Sequence, residues 1–185
     1  MAKKTIKAAV KSKKTAAPAT IPPVNARASV ASLDTGAVVK HQGEIVGILN
    51  HVLADTVLLY LKTRNFHWNV EGPGFYQLHK FFEDQYEQLD ESMDEVAERA
   101  RALDGLAAGS MKEFLKLSRL RESPDTLTAV QMVQTLLADH ESVVKNLRSD
   151  IGKLGKMDDV GTEDFLTGLL EQHEKMAWML RAHLR

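Results

Sequence analysis

Apolar residues along this chain change their spacing at Gly43. From there they recur every three or four positions. Ile45, Ile48, Leu49, Val52, Leu53, Thr56, Leu59 and Tyr60 form one stripe, which predicts a first long helix running to about His67 or Trp68. Gly72-Pro73-Gly74 breaks it. A second long helix is expected from about Tyr76 to Leu103, with Leu78, Phe82, Leu89, Met93, Val96 and Ala100 facing the core. Gly105 and Gly109 end it, and a short helix at Met111–Leu117 falls inside the next connection. Ser123-Pro124 has the form of a helix start, Ser as N-cap and Pro at the first position. The third long helix is therefore placed from Ser123-Pro124 to about Ile151, where Gly152 and Gly155 close it. The fourth spans about Thr162–His183. Four long helices without a credible strand predict an all-α four-helix bundle. A connection of roughly 20 residues between helices two and three permits a crossover rather than a simple hairpin.

Residues 1–35 follow no such period. They are rich in Lys, Ala, Thr, Ser and Pro, and Pro18, Pro22 and Pro23 block any long helix. The chain carries a formal charge of −1, but the charge is divided unevenly. Lys3, Lys4, Lys7, Lys11, Lys13, Lys14 and Arg27 lie within residues 1–28 with no acid among them, so the rest of the chain is acidic. The expected organisation is a flexible Lys-rich arm over 1–35 attached to a helical domain over 36–185. A solvating tail and an organelle transit peptide are the competing readings of the arm. Transit peptides favour Arg and Ser, whereas Lys dominates here. A disordered Lys-rich arm binds nucleic acid through counterion release, without reading sequence. No aromatics interleave the lysines, so base stacking is not indicated. There is no cysteine, which excludes disulfides and thiolate metal sites and fits a cytoplasmic setting. No unbroken run of 18 apolar residues occurs, so no membrane span is expected.

The candidate chemistry lies around the first turn. His67, His79, Glu83, Asp94 and Glu98 offer imidazole nitrogen and carboxylate oxygen, the ligand types that iron takes. His79 and Glu83 lie four apart on one helical face, as do Asp94 and Glu98. His79 and Asp94, however, are separated by roughly 22 Å along one helix axis at about 1.5 Å per residue. A single centre using both pairs needs a second copy of the helix running antiparallel, and a two-fold interface supplies one at each end. Acidic i,i+4 pairs are also common on solvated helix faces, and this helix has several more, among them Asp84, Glu87, Asp90, Glu91 and Glu95. His51 falls on a different face from His67 and reads as packing or interface. His41, His140, His173 and His183 have no acidic pattern that specifies a metal. Trp68 beside His67 is either ordinary packing or a trap for stray one-electron oxidants, and Trp178 reads as core or interface. Acids in Met157–Asp164 suit the N-terminus of the fourth helix.

His67-Trp68, Val70, Gly72, Leu78-His79 and Glu83 resemble the first characteristic pattern of the Dps family, the DNA-protecting mini-ferritins of starved bacteria. Met93-Asp94, Val96-Ala97-Glu98-Arg99, Leu103-Asp104 and Ala107 resemble the second. The run Gln172–Arg181 is similar to the family as well, and the likeness covers about residues 40–185. The resemblance implies a ferritin-like four-helix subunit in a homo-oligomeric shell of twelve. It implies a di-iron centre at each two-fold interface, with His67, His79 and Glu83 from one subunit and Asp94 and Glu98 from its neighbour. The implied activity is that of a ferroxidase that oxidises Fe(II), with hydrogen peroxide preferred, and stores Fe(III) mineral. The family further implies DNA binding through a Lys-bearing N-terminus and a three-fold entry pore, for which Asp159 and Asp164 are the candidates. Two departures stand out. Many members have Asp where this chain has Glu83, and the chain has no Glu-x-x-His motif of the kind that builds a di-iron site inside one bundle. The competing function is a nucleoid-structuring DNA-binding protein whose metal site is vestigial or holds zinc.

Overall fold

A computed structural model describes residues 39–123 and 126–185. The arm over 1–35, with its six lysines, and Pro124 lie outside the described residues. A 3-10 turn, Val39–His41, leads into α1 (Gln42–Asn69), followed by α2 (Phe75–Ala102), α3 (Met111–Leu117), α4 (Ala129–Leu154) and α5 (Val160–Ala182). There is no strand among the described residues. The four long helices form a bundle in which α1 packs chiefly on α2 and α4 on α5, while the short α3 lies against α1.

The observed helices start and stop within about three residues of the expected ones, with one exception. The third long helix begins at Ala129, not at Ser123-Pro124. Thr128 is its N-cap: Thr128 Oγ1 accepts from the Gln131 amide, and the Thr128 amide donates to Gln131 Oε1. This reciprocal box satisfies two amides that a helix start leaves orphaned. The fourth long helix opens with Asp159 as N-cap.

Side-chain pairs between helices fix the direction of the chain. Lys62 of α1 meets Asp139 of α4 at 2.5 Å, whereas Asp55, earlier in α1, reaches through Arg119 to Asp150, later in α4. α1 and α4 are therefore antiparallel. The Tyr60–Tyr86 and His67–His79 contacts make α1 and α2 antiparallel too. α2 and α4 thus run the same way, and the chain between them travels the length of the bundle. The connection is a crossover.

That crossover is held by the few polar residues of α1. Gln42 donates to the Leu103 carbonyl and Asn50 to the Leu106 carbonyl, and Asn50 Oδ1 accepts from the Ala108 amide at 2.7 Å. His51 Nδ1–H donates to the Leu117 carbonyl at 2.7 Å. Lys62 donates to the Arg121 carbonyl at 2.6 Å. Asp55 is buried and accepts from Ser118 Oγ, the Arg119 amide and Arg119 Nε. The same guanidinium reaches the buried Asp150 at 2.6 Å. An unpaired buried carboxylate costs several kcal/mol, so these contacts tie the crossover firmly to α1 and α4. α1 is long and apolar enough to cross a membrane by composition, but it is a core helix here, with Asp55 and Lys62 buried and paired.

Ile45, Leu49, Val52 and Leu59 of α1 and Phe82, Leu89 and Val96 of α2 fill the core against α4 and α5, as the periodicity predicts. Leu78, Met93 and Tyr60 are only partly buried. Trp178 is not core: it is 63% exposed on α5.

Two histidines that specify no metal in the sequence meet inside the bundle. His140 and His173 are 0% and 2% exposed, with their Nδ1 atoms 2.9 Å apart. One ring donates and the other accepts, so both are held neutral. Among the described residues, His140 Nε2 has no hydrogen-bond partner. Burial holds His140 well below its usual range and pushes His173 down to about 4. Both folded-state values lie below the unfolded value, so stability is complete above about pH 6.5 and falls as acid loads the unfolded chain. Denaturant unfolding is expected to show a loss between pH 6.5 and 4 of up to about 1.4 kcal/mol per histidine per pH unit. The double variant His140→Phe/His173→Phe is expected to flatten that dependence.

Candidate metal centre

The turn between α1 and α2 builds the first half of the site. The α1 ladder ends with the Val70 amide on the Phe66 carbonyl at 2.8 Å. Gly72 and Gly74 then take φ of +89° and +79°, in the left-handed region where a side chain is strained. The Phe75 amide bonds the Gly72 carbonyl, and α2 starts back along α1. This reversal sets His67 and His79 face to face, with ring centroids 3.8 Å apart and planes inclined by 19°.

Their hydrogen bonds are reciprocal. His67 Nδ1–H donates to the His79 carbonyl at 2.7 Å, and His79 Nδ1–H donates to the His67 carbonyl at 2.8 Å. A carbonyl only accepts, so each ring carries a proton on Nδ1, and in the neutral imidazole the lone pair is then on Nε2. Backbone bonds of this kind orient metal-binding imidazoles and fix their tautomer. The rings are also clamped from the sides. Phe75 stacks on His79 at 5.1 Å, and the edge of Tyr86 meets His67 at 5.2 Å.

Glu83, one turn beyond His79, is half-buried and ion-paired with Lys80. The Lys80 hydrogen bond, reinforced by the lysine's charge, holds Glu83 below the usual carboxylate range. Asp94 and Glu98 are exposed farther along the same unbroken helix. Fifteen residues of continuous helix keep Asp94 roughly 22 Å from His79 along the axis. Among the described residues no group of three or more His, Asp or Glu is disposed to hold a metal ion. The chain brings His67, His79 and Glu83 to one end of the α1–α2 hairpin and leaves Asp94 and Glu98 toward the other.

Trp68 is 64% exposed, and the Arg64 guanidinium lies 5.6 Å from its ring centre. Arg64 also lies over Tyr86 at 4.8 Å and donates to the Tyr60 hydroxyl at 2.6 Å. This cation among three rings, one ring away from His67, escapes sequence reading, although Tyr60, Arg64 and Trp68 at four-residue spacing share a face. The two pore candidates are placed differently. Asp159 is buried, caps α5 through the Thr162 amide and hydroxyl, and pairs with Arg99 at 3.1 Å. Its charge is neutralised there, so it is poorly suited to draw cations. Asp164 is exposed.

Comparison with known proteins places this architecture. Residues 46–185 match the model of the ferritin-like domain family, described as Ferritin. An uncharacterized low temperature-induced protein of Nostoc sp. is 46% identical over 76% of this chain and 79% of its own length. DNA protection during starvation protein 2 of Bacillus anthracis is 38% identical over 76% of this chain and 97% of its own. The crystal structure of a Dps protein from Vibrio cholerae, described as a member of a broad superfamily of ferritin-like diiron-carboxylate proteins, superposes with a TM-score of 0.76. It is 29% identical and covers 79% of this chain and 92% of its own. The fold is thus the all-α ferritin-like bundle. Within that class, the chain belongs to the Dps family.

Asparagine separates the two roles of each imidazole, because its amide can donate where Nδ1 does but offers nothing at Nε2. His67→Asn/His79→Asn is expected to unfold within about 1–2 kcal/mol of the parent while losing Co(II) binding, read by the visible spectrum of the ion.

Proposed function

We propose that this protein is a ferroxidase and iron-storage mini-ferritin whose oxidation centre is shared between two copies. Its substrate is Fe(II). His67, His79 and Glu83 of one copy and Asp94 and Glu98 of the other hold it. The observation that carries the reading is the locked imidazole pair, with both Nε2 lone pairs free and the acidic pair held far along the same helix. The composition of the set fits the reaction. Two neutral nitrogens take Fe(II), and three carboxylates favour the harder Fe(III) product. Hydrogen peroxide is the preferred oxidant: two Fe(II), one peroxide and two protons give two Fe(III) and two waters, with no hydroxyl radical released. The diiron-carboxylate character of the Vibrio cholerae relative supports this chemistry.

The Fe(III) product is stored as mineral inside a homo-oligomeric shell, of twelve copies by family resemblance. Asp164, exposed on the first turns of α5, is the better pore residue of the two candidates. The name of the Bacillus anthracis relative supports a DNA-protective role. Lys3, Lys4, Lys7, Lys11, Lys13 and Lys14 supply the positive charge for DNA contact, multiplied by every arm on the shell. The setting is the bacterial cytosol or nucleoid.

Asp94→Ala/Glu98→Ala is expected to slow peroxide-driven Fe(II) oxidation, followed by absorbance, by about 100-fold or more and to leave DNA retention intact. A chain beginning after residue 28 is expected to do the opposite in low-salt gel shifts. Oxidation undiminished in the first variant removes the acidic pair from the site.

A further inference from the structure

Among the described residues, three buried side-chain atoms have no hydrogen-bond partner: Gln85 Nε2, Gln85 Oε1 and His140 Nε2. Gln85 is 2% exposed and His140 0%. A polar atom buried without a partner forfeits the bonds it made to water in the unfolded chain. The contacts between helices put the two residues at one level of the bundle. Tyr60 meets Tyr86, so Gln85 of α2 stands opposite Leu61 of α1. Lys62 pairs with Asp139, so that level of α1 stands opposite His140 of α4. α5 gives the same register from the other side. Phe81 meets His183 and Ser92 meets Gln172, which sets Gln85 level with Met179. Arg181, half a turn on, reaches Glu141 beside His140. Both side chains point inward. Phe82 and Leu89 flank Gln85 on its face of α2, Leu136 and Val143 flank His140 on α4, and all four belong to one core.

We propose that α2 and α4 hold an ordered water molecule between Gln85 and His140 in the middle of the bundle, and that this water sets the tautomers of the His140–His173 pair. The donor set selects the ligand. Two neutral imidazoles and an amide carry no charge, and the nearest acid, Asp139, is already paired with Lys62. A dication buried there without counter-charge is costly. Water is neutral and both donates and accepts, and a buried water makes about three hydrogen bonds to polar groups that lack other partners. It accepts from Gln85 Nε2–H, donates one proton to Gln85 Oε1 and the other to His140 Nε2. His140 Nε2 then holds the lone pair, so His140 carries its proton on Nδ1 and donates it to His173 Nδ1 at 2.9 Å. His173 is left with its proton on Nε2. The path Gln85–water–His140–His173 ties α2, which bears His79 and Glu83, to the α4–α5 hairpin through the core.

The test is a high-resolution crystal structure of the full-length assembly, with anomalous data from a crystal soaked in Co(II). A single peak is expected at about 2.8 Å from Gln85 Nε2, Gln85 Oε1 and His140 Nε2, with no anomalous signal. A direct Gln85–His140 bond, an unfilled space between them, or an anomalous Co(II) peak on the imidazoles overturns the proposal. Denaturant midpoints, taken at one protein concentration, test the link in solution. Gln85→Leu is expected to lower the midpoint of the parent, because it strands His140 Nε2. In the His140→Phe/His173→Phe background the amide is already stranded, and the same change is expected to raise the midpoint. Equal shifts in the two backgrounds mean that Gln85 and His140 share no partner, and that result also overturns the proposal.

Discussion

An unbroken α-helix is a ruler. α2 runs from Phe75 to Ala102 without a kink residue in its middle, and it carries His79 and Glu83 near one end and Asp94 and Glu98 toward the other. No rotamer change brings those pairs together within one chain. Everything proposed for the function follows from that separation. The imidazoles are locked by backbone hydrogen bonds at the hairpin turn, while the far acids stand exposed. On the proposed reading, the chain is half of a symmetric object.

The bundle's polar contacts serve that arrangement. A helix as apolar as α1 has every reason to bury an uninterrupted face, yet it carries Gln42, Asn50, His51, Asp55 and Lys62. Each bonds the crossover or the residues that secure it. The crossover would otherwise be a long loop with a short helix too brief to stand alone. Held against α1, it becomes a wall beside Asp94. Stability and site geometry thus depend on the same few side chains.

Much of this was legible in the chain. Periodicity located the helices because long amphipathic segments repeat their signal over many turns, and even Met111–Leu117 was bounded correctly. The start of α4 was misplaced because Ser123-Pro124 and Thr128-x-x-Gln131 are both good caps, and local chemistry does not rank them. The ligand residue types were legible too, but not the reciprocal bonding of His67 and His79, which exists only once the Gly72–Gly74 turn closes. Asp159 shows the same limit: an acid before a helix can cap it or face solvent, and only Arg99, sixty residues away, decides. Of the two readings of Trp178, core or interface, the fold removes only the first, because hydrophobicity alone does not say whether a side chain meets its own core or another copy. The His140–His173 pair and the Asp55–Arg119–Asp150 network are tertiary pairings with no local pattern.

The shared centre can be tested by mixing two inactive chains. His67→Asn/His79→Asn lacks the imidazoles, and Asp94→Ala/Glu98→Ala lacks the acids. Co-expressed in equal amounts, random pairing leaves about a quarter of the interfacial sites with intact halves from both sides. Peroxide-driven Fe(II) oxidation should then return to about a quarter of the parental rate, although each variant alone is inactive. A mixture no more active than its separate components, in assemblies shown by mass to contain both chains, would contradict the account.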